Sequence, residues 1–399
     1  MKEKTRLMLS LAVCLLFIIL AFSNVAGKTL YNRNFAKEVK EPIYNAFKDD
    51  LKPPNSPILP YRQVLKPKDE GVHHKNLLVT QEWWYYNVVF DKSDSELRNW
   101  SLMISFNQGR IADAFFLTLF DDENRSYGGC ITMPKGTIQA TSPGVNVEFN
   151  NSYVIGTYPN WHIYAEDGDL DIREITVDLI YKADSLPLWS IMNTGHGISM
   201  SPMGHYSIID CNVTGEIKIN ETVYNIHGVG YHEHSWLSFL PRRQDQNLIK
   251  NVWDYFCIHF DNGWDMLAGK ISLIHQSSLM RFIPGTLWIT PDGENISECL
   301  FFRVDYLETK NTTMHGVDIP TKIHINALFL NTIIKNPFSG LVYMDIYIET
   351  KNIHEFIWGS PPSIGLWEGT CKVNGTINWS KNNIKLNGSG MIELARVAS

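Results

Sequence analysis

Apolar and polar residues alternate along many short stretches of the chain after its first 70 residues, and this two-residue period predicts β-strands. In the segment 175–181 the apolar residues that begin at Ile175 share one face, and the polar residues occupy the other. The segments 161–166 and 342–349 show the same alternation. No long segment with a helical period follows residue 27, so we expect helices to be few and short.

Asx–Gly dipeptides separate these apolar runs and predict hairpin turns: Asp167-Gly168, Asn262-Gly263, Asp292-Gly293, Asn374-Gly375 and Asn387-Gly388. Short strands that continue over most of the chain indicate a sandwich or barrel architecture. An eight-stranded barrel takes about 130–170 residues at this spacing, so residues 71–395 have room for two. The polar stretch 241–246 predicts the boundary between an N-terminal domain, 71–242, and a C-terminal domain, 243–399.

The first 27 residues have the order of a secretory signal peptide, with basic residues, then an apolar run, then small residues. The apolar run, Leu7–Phe22, is shorter than the roughly 20 residues that span a bilayer. A cleaved signal is therefore favoured, and a retained membrane anchor is the alternative. The proline-rich segment 28–70 is interpreted as a linker or surface arm.

Asn-x-Ser/Thr sequons support export to the cell surface or beyond it and predict a glycoprotein: they begin at Asn99, Asn124, Asn150, Asn212, Asn220, Asn295, Asn311, Asn374, Asn378 and Asn387. Five cysteines follow the signal, and an odd number leaves at least one unpaired in a monomer. No Cys-x-x-Cys motif is present. The cysteines are interpreted as buried thiols, with or without one disulfide.

Composition excludes several classes of function. The 399 residues carry 35 Lys and Arg against 42 Asp and Glu, a net charge of −7, and no basic run that would follow a nucleic-acid backbone. The sequence has no dinucleotide or phosphate-binding glycine loop, no zinc-protease motif and no Gly-x-Ser-x-Gly elbow. We therefore expect no nucleic-acid partner and no cofactor. The oligomeric state is left open.

The first of three segments that can carry chemistry places Glu82 before four aromatic residues, Trp83, Trp84, Tyr85 and Tyr86. The strand period puts Glu82, Trp84 and Tyr86 on one face. This face either lines a site or consists of ordinary core aromatics with Glu82 at the rim.

The second segment, 228–236, brings together His232, Glu233 and His234. These residue types can bind a metal ion, but their spacing fixes no third protein ligand, and His259 is the one candidate considered. We therefore rank a metal site below an acid–base or shape role and predict no metal. A hydrogen-bonded histidine cluster in a barrel mouth is the alternative.

The third segment is a strand that runs into the Asn262-Gly263 turn and places Asp254 between Trp253 and Tyr255. A carboxyl group that loses its hydration in such surroundings has a raised pKa and can act as a Brønsted acid near neutral pH. The alternative is a structural carboxylate that accepts hydrogen bonds from backbone donors.

Taken in order, the three segments resemble the carotenoid 1,2-hydratases (hydroxyneurosporene synthases, CrtC) and AttH-like proteins, to which fungal pericyclases of the Diels–Alder type are related. Glu82–Tyr85 matches their Glu-Trp-Trp-Tyr segment. Tyr206-Ser207 followed by Gly230–Trp236 matches a Tyr-Ser strand that leads to a Gly-x-x-x-x-Asp-His-x-Trp-Gly segment. Trp253–Phe256 matches their Trp-Asp-Trp-Phe strand. The departures are Glu233 for Asp, Leu237 for Gly and Tyr255 for Trp.

This resemblance implies an all-β fold of two lipocalin-like antiparallel barrels, packed side by side, with an apolar pocket. It implies that Asp254 protonates an isoprenoid double bond, that water captures the cation without a cofactor, and that His234 and Trp236 steer the water or stabilise the cation. Glu233 and His232 are the further catalytic candidates. The candidate ligand-binding residues are Glu82, Trp83, Trp84, Tyr85, Tyr206, Tyr231, Trp253 and Tyr255.

Two functions stay open at this point. The first is a cofactor-independent enzyme that hydrates, isomerises or cyclises an apolar isoprenoid or polyene. The second is an exported lipocalin-like protein that binds a lipid without catalysis. A hydrolase is not favoured, because the sequence motifs indicate no nucleophile–base pair. The enzyme hypothesis requires that Asp254, His234 and Trp236 face one cavity.

Overall fold

The computed structural model describes residues 65–73, 79, 81–91, 96–123, 125–170, 172, 174–189, 204–237, 251–271, 285–299, 302–312, 317–329, 342–358, 364–379 and 382–397. The predicted signal, most of the proline-rich arm and the predicted domain boundary at 241–246 lie outside these ranges. Within them the chain forms one short α-helix, a 3₁₀ turn at Asp167–Leu170 and 21 β-strands, all paired antiparallel. No helix in the described part of the chain is long and apolar enough to cross a membrane.

The first sheet contains twelve strands: β1 (Gln81–Val89), β2 (Ser101–Gly109), β3 (Ala112–Phe120), β4 (Ser126–Pro134), β5 (Gln139–Ala140), β6 (Val145–Phe149), β7 (Ser152–Thr157), β8 (Asn160–Glu166), β9 (Ile175–Ala183), β10 (Leu188–Trp189), β11 (Gly204–Ile219) and β12 (Thr222–Leu237). Their order is β4-β3-β2-β1-β12-β11-β9-β8-β7-β6-β5, with β10 paired to β11.

The second sheet contains nine strands: β13 (Asn251–Phe260), β14 (Asp265–Ile271), β15 (Gly285–Thr290), β16 (Ser297–Cys299), β17 (Phe302–Asn311), β18 (Asp318–Phe329), β19 (Val342–Trp358), β20 (Ile364–Trp379) and β21 (Asn382–Val397). Their order is β16-β15-β14-β13-β21-β20-β19-β18-β17. In each sheet the first strand in sequence therefore pairs with the last, β1 with β12 and β13 with β21. The chain passes from one sheet to the other between residues 237 and 251; the exact domain bounds stay a prediction.

The alternating segments form strands with the expected faces: in β9, the apolar residues at every second position are buried. The Asx–Gly predictions are correct for Asn262-Gly263 and Asp292-Gly293, which lie between strands, and Asp167-Gly168 begins the 3₁₀ turn. They are wrong for Asn374-Gly375 and Asn387-Gly388, which lie inside β20 and β21. A Cβ at either of these glycines would collide with a carbonyl oxygen of the neighbouring strand, so they permit close backbone approach rather than a turn.

Three apolar clusters organise the described part of the molecule. The first core lies within the curled first sheet and includes Trp84, Tyr86, Phe106, Trp161, Tyr181 and Trp236. The second core lies within the second sheet and includes Phe256, Ile258, Ile325, Met344 and Trp367. The interface cluster draws on both sheets and includes Tyr85, Phe116, Tyr231, Cys257, Phe356 and Met391. The predicted all-β class, with two antiparallel barrel-like sheets packed side by side, is confirmed.

The end of the proline-rich arm docks on the first sheet. Its helix α1 (Pro67–Glu70) begins at a proline, which suits the first helical position. The Glu70 carboxylate accepts hydrogen bonds from the Tyr158 backbone N–H (2.9 Å) and the Trp161 indole (3.0 Å). The Trp84 indole donates to the Glu70 carbonyl oxygen (2.9 Å). These contacts make the residues just before β1 part of the first core.

The five cysteines that follow residue 27 carry free thiols, and four of them are buried, which agrees with the predicted buried thiols. Cys130 is half-buried.

Candidate functional site

Strand alternation divides the aromatic residues of β1 between two faces. Trp84 and Tyr86 lie in the first core, and Glu82 is fully buried on their side. Trp83 and Tyr85 point the other way, toward the second sheet, where they join the interface cluster. Alternate side chains of this segment therefore lie in the first core and in the interface cluster, as the two-residue period predicts.

The partner strands divide in the same way, so the predicted catalytic residues do not meet. On β12, His234 and Trp236 face the first core, whereas Tyr231 faces the interface. On β13, Phe256 lies in the second core and Asp254 shares its face. Asp254 thus lies in a different interior from His234 and Trp236, so an enzyme mechanism built on these three residues together is not supported, and a catalytic acid has to come from elsewhere in the molecule.

Glu82 is fully buried at the centre of a histidine cluster, in which His234 is buried and His73 is half-buried. The backbone N–H of His73 lies 2.8 and 2.9 Å from the two carboxylate oxygens, and Nδ1 of His73 lies 3.1 Å from Oε1. Nε2 of His234 lies 2.9 Å from the same oxygen. Nδ1 of His234 lies 3.1 Å from the Asp69 carbonyl oxygen. The His73 ring also stacks on Trp236, with ring centroids 3.8 Å apart.

These donors determine the charge state of Glu82. Burial on its own raises the pKa of Glu82, but the hydrogen bonds and charges of His234 and His73 outweigh it and lower the pKa to about 2. Burial lowers the pKa of His234, and Glu82 opposes that shift. Glu82 is therefore a buried anion that fixes the end of the arm to the first core.

The same three side chains are a group that could hold a metal ion. Ligand atoms of His73, Glu82 and His234 lie within 4.8 Å of one another. Each of these atoms already takes part in the hydrogen bonds described above, which account for the arrangement. The metal set considered from sequence is not brought together, because Glu233 faces the interface while His232 and His234 face the first core.

His232 and Tyr206 have structural partners in the first core. The Tyr206 hydroxyl lies 3.2 Å from Nε2 of His232, and Nδ1 of His232 donates to the Tyr85 carbonyl oxygen at 3.0 Å. Burial lowers the pKa of His232 to about 3, so the ring is neutral at physiological pH.

Asp254 has a different setting from the apolar one that the sequence predicts. Its carboxylate forms a buried ion pair with Arg396 (2.6 Å) and accepts a hydrogen bond from the Tyr306 hydroxyl. Lys270, directly opposite Asp254 on β14, lies over the Tyr306 ring. This cluster neutralises charge inside the second core, and it lies away from the interface.

The contact between the two sheets contains a polar network that begins at Glu233. The Trp83 indole donates to Oε1 of Glu233 at 2.7 Å, and the Tyr231 hydroxyl donates to Oε2. The Tyr231 and Tyr255 hydroxyls are 2.8 Å apart. Oγ of Ser207 lies 3.0 and 2.9 Å from these two hydroxyls. A carboxylate from the first sheet is thus linked to a tyrosine of the second.

A matching network surrounds Glu393. The Trp253 indole donates to Oε1 of Glu393. Glu368 is directly opposite Glu393 on β20, and the two carboxyl groups share a hydrogen bond. The Tyr85 hydroxyl donates to Oε2 of Glu368 at 3.2 Å. Here a tyrosine of the first sheet reaches a carboxyl group of the second.

The two networks are halves of one site, which we call the interface site. Its first half consists of Trp83, Tyr85, Ser207 and Glu233, and its second half of Trp253, Tyr255, Glu368 and Glu393. In the first half, Glu233 lies opposite Tyr85 on β1 and opposite Ser207 on β11. In the second half, Glu393 lies opposite Tyr255 on β13 and opposite Glu368 on β20. The rings of Trp83 and Trp253 stack across the contact, with centroids 6.3 Å apart.

The second half holds a proton. Burial, followed by the charge of Glu393, raises the pKa of Glu368 well above its ordinary value. Burial and the charge of Glu233 raise the pKa of Glu393 to about 7, against the hydrogen bonds from Glu368 and Trp253. The pair therefore retains at least one carboxylic acid proton at neutral pH.

A small cavity opens at this network, and it is lined by Tyr85, Asn87, Tyr231, Glu233, Tyr255, Cys257, Met391 and Glu393. It has room for about one water molecule. Glu393 is half-buried and lines the cavity. A group that enters the cavity thus meets aromatic rings and carboxyl groups together.

The structure places the sequence candidates in three locations. Those at the interface site are Trp83, Tyr85, Tyr231, Glu233, Trp253 and Tyr255. Those in the first core are Glu82, Trp84, Tyr206, His232, His234 and Trp236, and Asp254 lies in the second. Sequence reasoning missed Glu368 and Glu393. Each of these glutamates interrupts an apolar strand. In Trp367-Glu368 the tryptophan precedes the glutamate, which reverses the order of Glu82-Trp83.

No family model and no curated protein matches the chain. Solved structures do match it. An AttH-like protein from Nitrosomonas europaea is 13% identical with a TM-score of 0.59, over 85% of this chain and 98% of that one. Kievitone hydratase from Nectria haematococca is 11% identical with a TM-score of 0.58, over 84% of this chain and 92% of that one. CghA, solved with Sch210972, is 12% identical with a TM-score of 0.51, over 80% and 89%.

The chain has the fold of these proteins. The resemblance to AttH-like proteins is thereby confirmed at the level of the fold. The resemblance to carotenoid hydratases in particular stays a prediction.

Proposed function

We propose that the chain is a cofactor-independent enzyme that protonates a carbon–carbon double bond of an apolar small molecule at the interface site. The observation that carries this proposal is the Glu368–Glu393 pair beside the cavity, because two carboxyl groups share a hydrogen bond only when one of them is protonated. A general acid is most effective when its pKa lies near the working pH, as that of Glu393 does at about 7.

The surroundings of the acid suit the cation that such a protonation creates. The rings of Tyr85 and Tyr255 line the cavity, and the stacked indoles of Trp83 and Trp253 donate to its carboxyl groups. An aromatic face stabilises a nearby cation by up to about 2 kcal/mol when water is excluded. Water captured at the cation gives hydration, and loss of a different proton gives isomerisation. Attack by a second double bond gives cyclisation.

Two further features are proposals of the same kind. An isoprenoid or other polyene suits the aromatic residues around the acid, although the cavity, with room for about one water molecule, has to widen to admit it. Kievitone hydratase, a protein of this fold, is by its name a hydratase. We also propose that the chain is itself a glycoprotein and acts outside the cell. The signal-like first 27 residues and the sequons support this.

Deuterium uptake tests the proposal whichever product forms. The purified chain is incubated with geraniol, a short isoprenoid alkene, in D₂O, and deuterium at carbon is measured by mass spectrometry. We expect uptake, and a loss of about 10²-fold or more in Glu393→Gln, because an amide cannot act as the acid. Glu349→Gln is the control, since Glu349 is exposed and pairs with Lys351. Unchanged uptake in Glu393→Gln would show that another group is the acid.

A non-catalytic lipid-binding protein is the second candidate. It is favoured by one observation, the separation of Asp254 from His234 and Trp236 in different interiors. Mass spectrometry of lipids that co-purify with the exported chain tests this candidate. A bound polyene together with no deuterium uptake in the wild type would support binding over catalysis.

A further inference from the structure

Three side chains next to the cavity have the arrangement of a nucleophile, a base and an orienting acid. Cys257 and His259 are two residues apart on β13, so they share the face that points to the interface. Sγ of Cys257 lies 3.9 Å from Nε2 of His259. Nδ1 of His259 lies 2.6 Å from Oδ1 of Asp265, which is directly opposite on β14. A base held by a carboxylate and aimed at a thiol is the arrangement that activates nucleophiles.

The location connects this triad with the interface site. Cys257 lines the same cavity as Glu393 and Tyr255. All three members of the triad are buried, with 3%, 9% and 5% of Cys257, His259 and Asp265 exposed. The thiol therefore borders the same cavity as the acid.

The electrostatics distinguish Cys257 from the other buried thiols. Burial raises the pKa of Cys257, and the charge and hydrogen bond of His259 oppose this. Burial lowers the pKa of His259, but Cys257 and Asp265 raise it well above its ordinary value. For Cys371, which is equally buried, burial and the charge of Cys257 raise the thiol pKa against one backbone hydrogen bond. Because Nδ1 of His259 is bonded to Asp265, Nε2 is the ring atom that faces the Cys257 thiol and can exchange a proton with it.

We propose that Cys257, His259 and Asp265 form a nucleophilic site, and that the double bond of this protein's substrate is conjugated to a carbonyl group. This inference rests on the proposed function, because it uses the carboxyl pair of the same cavity as the acid. A soft thiolate adds to the β-carbon of an α,β-unsaturated carbonyl compound, and that reaction needs an acid at the opposite end of the double bond.

The reaction balances with the groups present. The thiol proton passes to His259, a bond forms between Sγ of Cys257 and the β-carbon, and the π electrons move to give an enolate. The Glu393 carboxyl group then protonates the α-carbon. The former double bond is now a single bond that can rotate. When the proton returns to Glu393, the C–S bond breaks, and the isomerised compound leaves with thiol, imidazole and carboxylic acid restored.

Labelling with methyl vinyl ketone, a small α,β-unsaturated ketone, tests the inference. Peptide mass spectrometry measures the rate of adduct formation at Cys257 and at two equally buried thiols, Cys211 and Cys371. We expect Cys257 to react at least about ten times faster than either, because His259 supplies the thiolate. Butanone, the saturated analogue, should label none of them. Equal rates at Cys257 and Cys371 would overturn the inference without any variant.

Two variants separate activation from access. We expect His259→Gln and Asp265→Asn each to slow labelling of Cys257 at least about ten-fold and to leave the rate at Cys371 unchanged. Since unfolding would speed labelling at Cys371, that thiol reports on folding within the same sample. No slowing at Cys257 in a folded His259→Gln protein would also overturn the inference.

The deuterium experiment distinguishes this failure from failure of the proposed function. Uptake from D₂O without selective labelling of Cys257 would remove the nucleophile and leave the acid. Selective labelling without uptake into geraniol would leave the nucleophilic site in place and remove the acid chemistry on isolated alkenes.

Discussion

The two halves of the interface site are built from corresponding positions of the two sheets. They share a carboxylate, a tyrosine and an indole, and they differ in one further residue. In the first half the Trp83 indole donates to Glu233, and in the second half the Trp253 indole donates to Glu393. Both carboxylates lie on the last strand of their sheet, beside the first. The shared plan shows that the sheet topology, repeated twice in the chain, places a carboxylate and an indole at each side of the contact.

The difference lies in the residue opposite each carboxyl group. Ser207 is opposite Glu233, and Glu368 is opposite Glu393. A hydroxyl group donates a hydrogen bond at any pH, but a buried carboxyl group donates one only while it is protonated. One replacement at one register position thus converts a hydrogen-bonding position into a pair that stores a proton.

The largest expected effect is a difference in the free energy of unfolding between two variants, one at Glu393 of this pair and one at Glu82, which is buried as an anion. We expect Glu82→Gln to lower the free energy of unfolding by about 3–5 kcal/mol, because it leaves the donors of His73 and His234 without their anion. Glu393→Gln should cost below about 1 kcal/mol, because a neutral amide resembles a protonated carboxyl group. Urea unfolding followed by tryptophan fluorescence measures both. Equal losses would mean that Glu393 is held as an anion as well.

The pH dependence of stability gives the next largest effect. The folded-state pKa of Glu393, about 7, is above the ordinary 4.5, so the folded protein holds this proton more tightly than the unfolded chain does. Its contribution is complete below pH 4.5 and is lost as the pH rises through 7. We expect the free energy of unfolding to fall, over this window, by up to about 1.4 kcal/mol per pH unit more in the wild type than in Glu393→Gln.

The contribution of Glu70 to the free energy of unfolding also decreases as the pH rises through this window, since burial raises its pKa to about 7. Its contribution is present in both proteins and cancels in the difference. Glu82, with a pKa of about 2, has the opposite sign: its contribution is present above pH 4.5 and is lost as the pH falls toward 2. Parallel curves for the wild type and Glu393→Gln between pH 4.5 and 7 would contradict the raised pKa.

Infrared spectroscopy can count the stored proton. We expect a protonated-carboxyl band at pH 7 in the wild type that decreases by about one carboxyl group in Glu368→Ser, because burial keeps Glu368 protonated. The matched change in the first half, Ser207→Ala, should leave the band unchanged. A band that survives in Glu368→Ser would assign the proton to a different group.

Much of this architecture could be predicted from the sequence, because strand period and burial are local properties. The alternation at 175–181 and the short-helix expectation both hold in the structure. The turns at Asn374-Gly375 and Asn387-Gly388 could not be excluded, because only the long strands β20 and β21 reveal that these glycines face a neighbouring backbone. A dipeptide signal does not distinguish a tight turn from close strand packing.

The site was only partly predictable for a geometric reason. Sequence motifs identify the strands that border the interface, but adjacent residues of a strand point to opposite sides. Asp254 and Tyr255 are neighbours in sequence, yet one pairs with Arg396 in the second core and the other lies at the interface. Glu368 comes from a strand far along the chain without a recognised motif, so its pairing with Glu393 emerges only from the sheet register.

The smallest expected effect tests whether the two halves act as one site. Trp83→Phe and Trp253→Phe each remove an indole donor to a carboxyl group, which we expect to cost about 1–2 kcal/mol. Because the two rings stack across the contact, the double variant should depart from additivity by about 0.5–1 kcal/mol. A double-mutant cycle from urea unfolding measures this coupling. Strict additivity would mean that the halves are energetically independent, and the proton stored by Glu368 and Glu393 would then be a property of the second sheet alone.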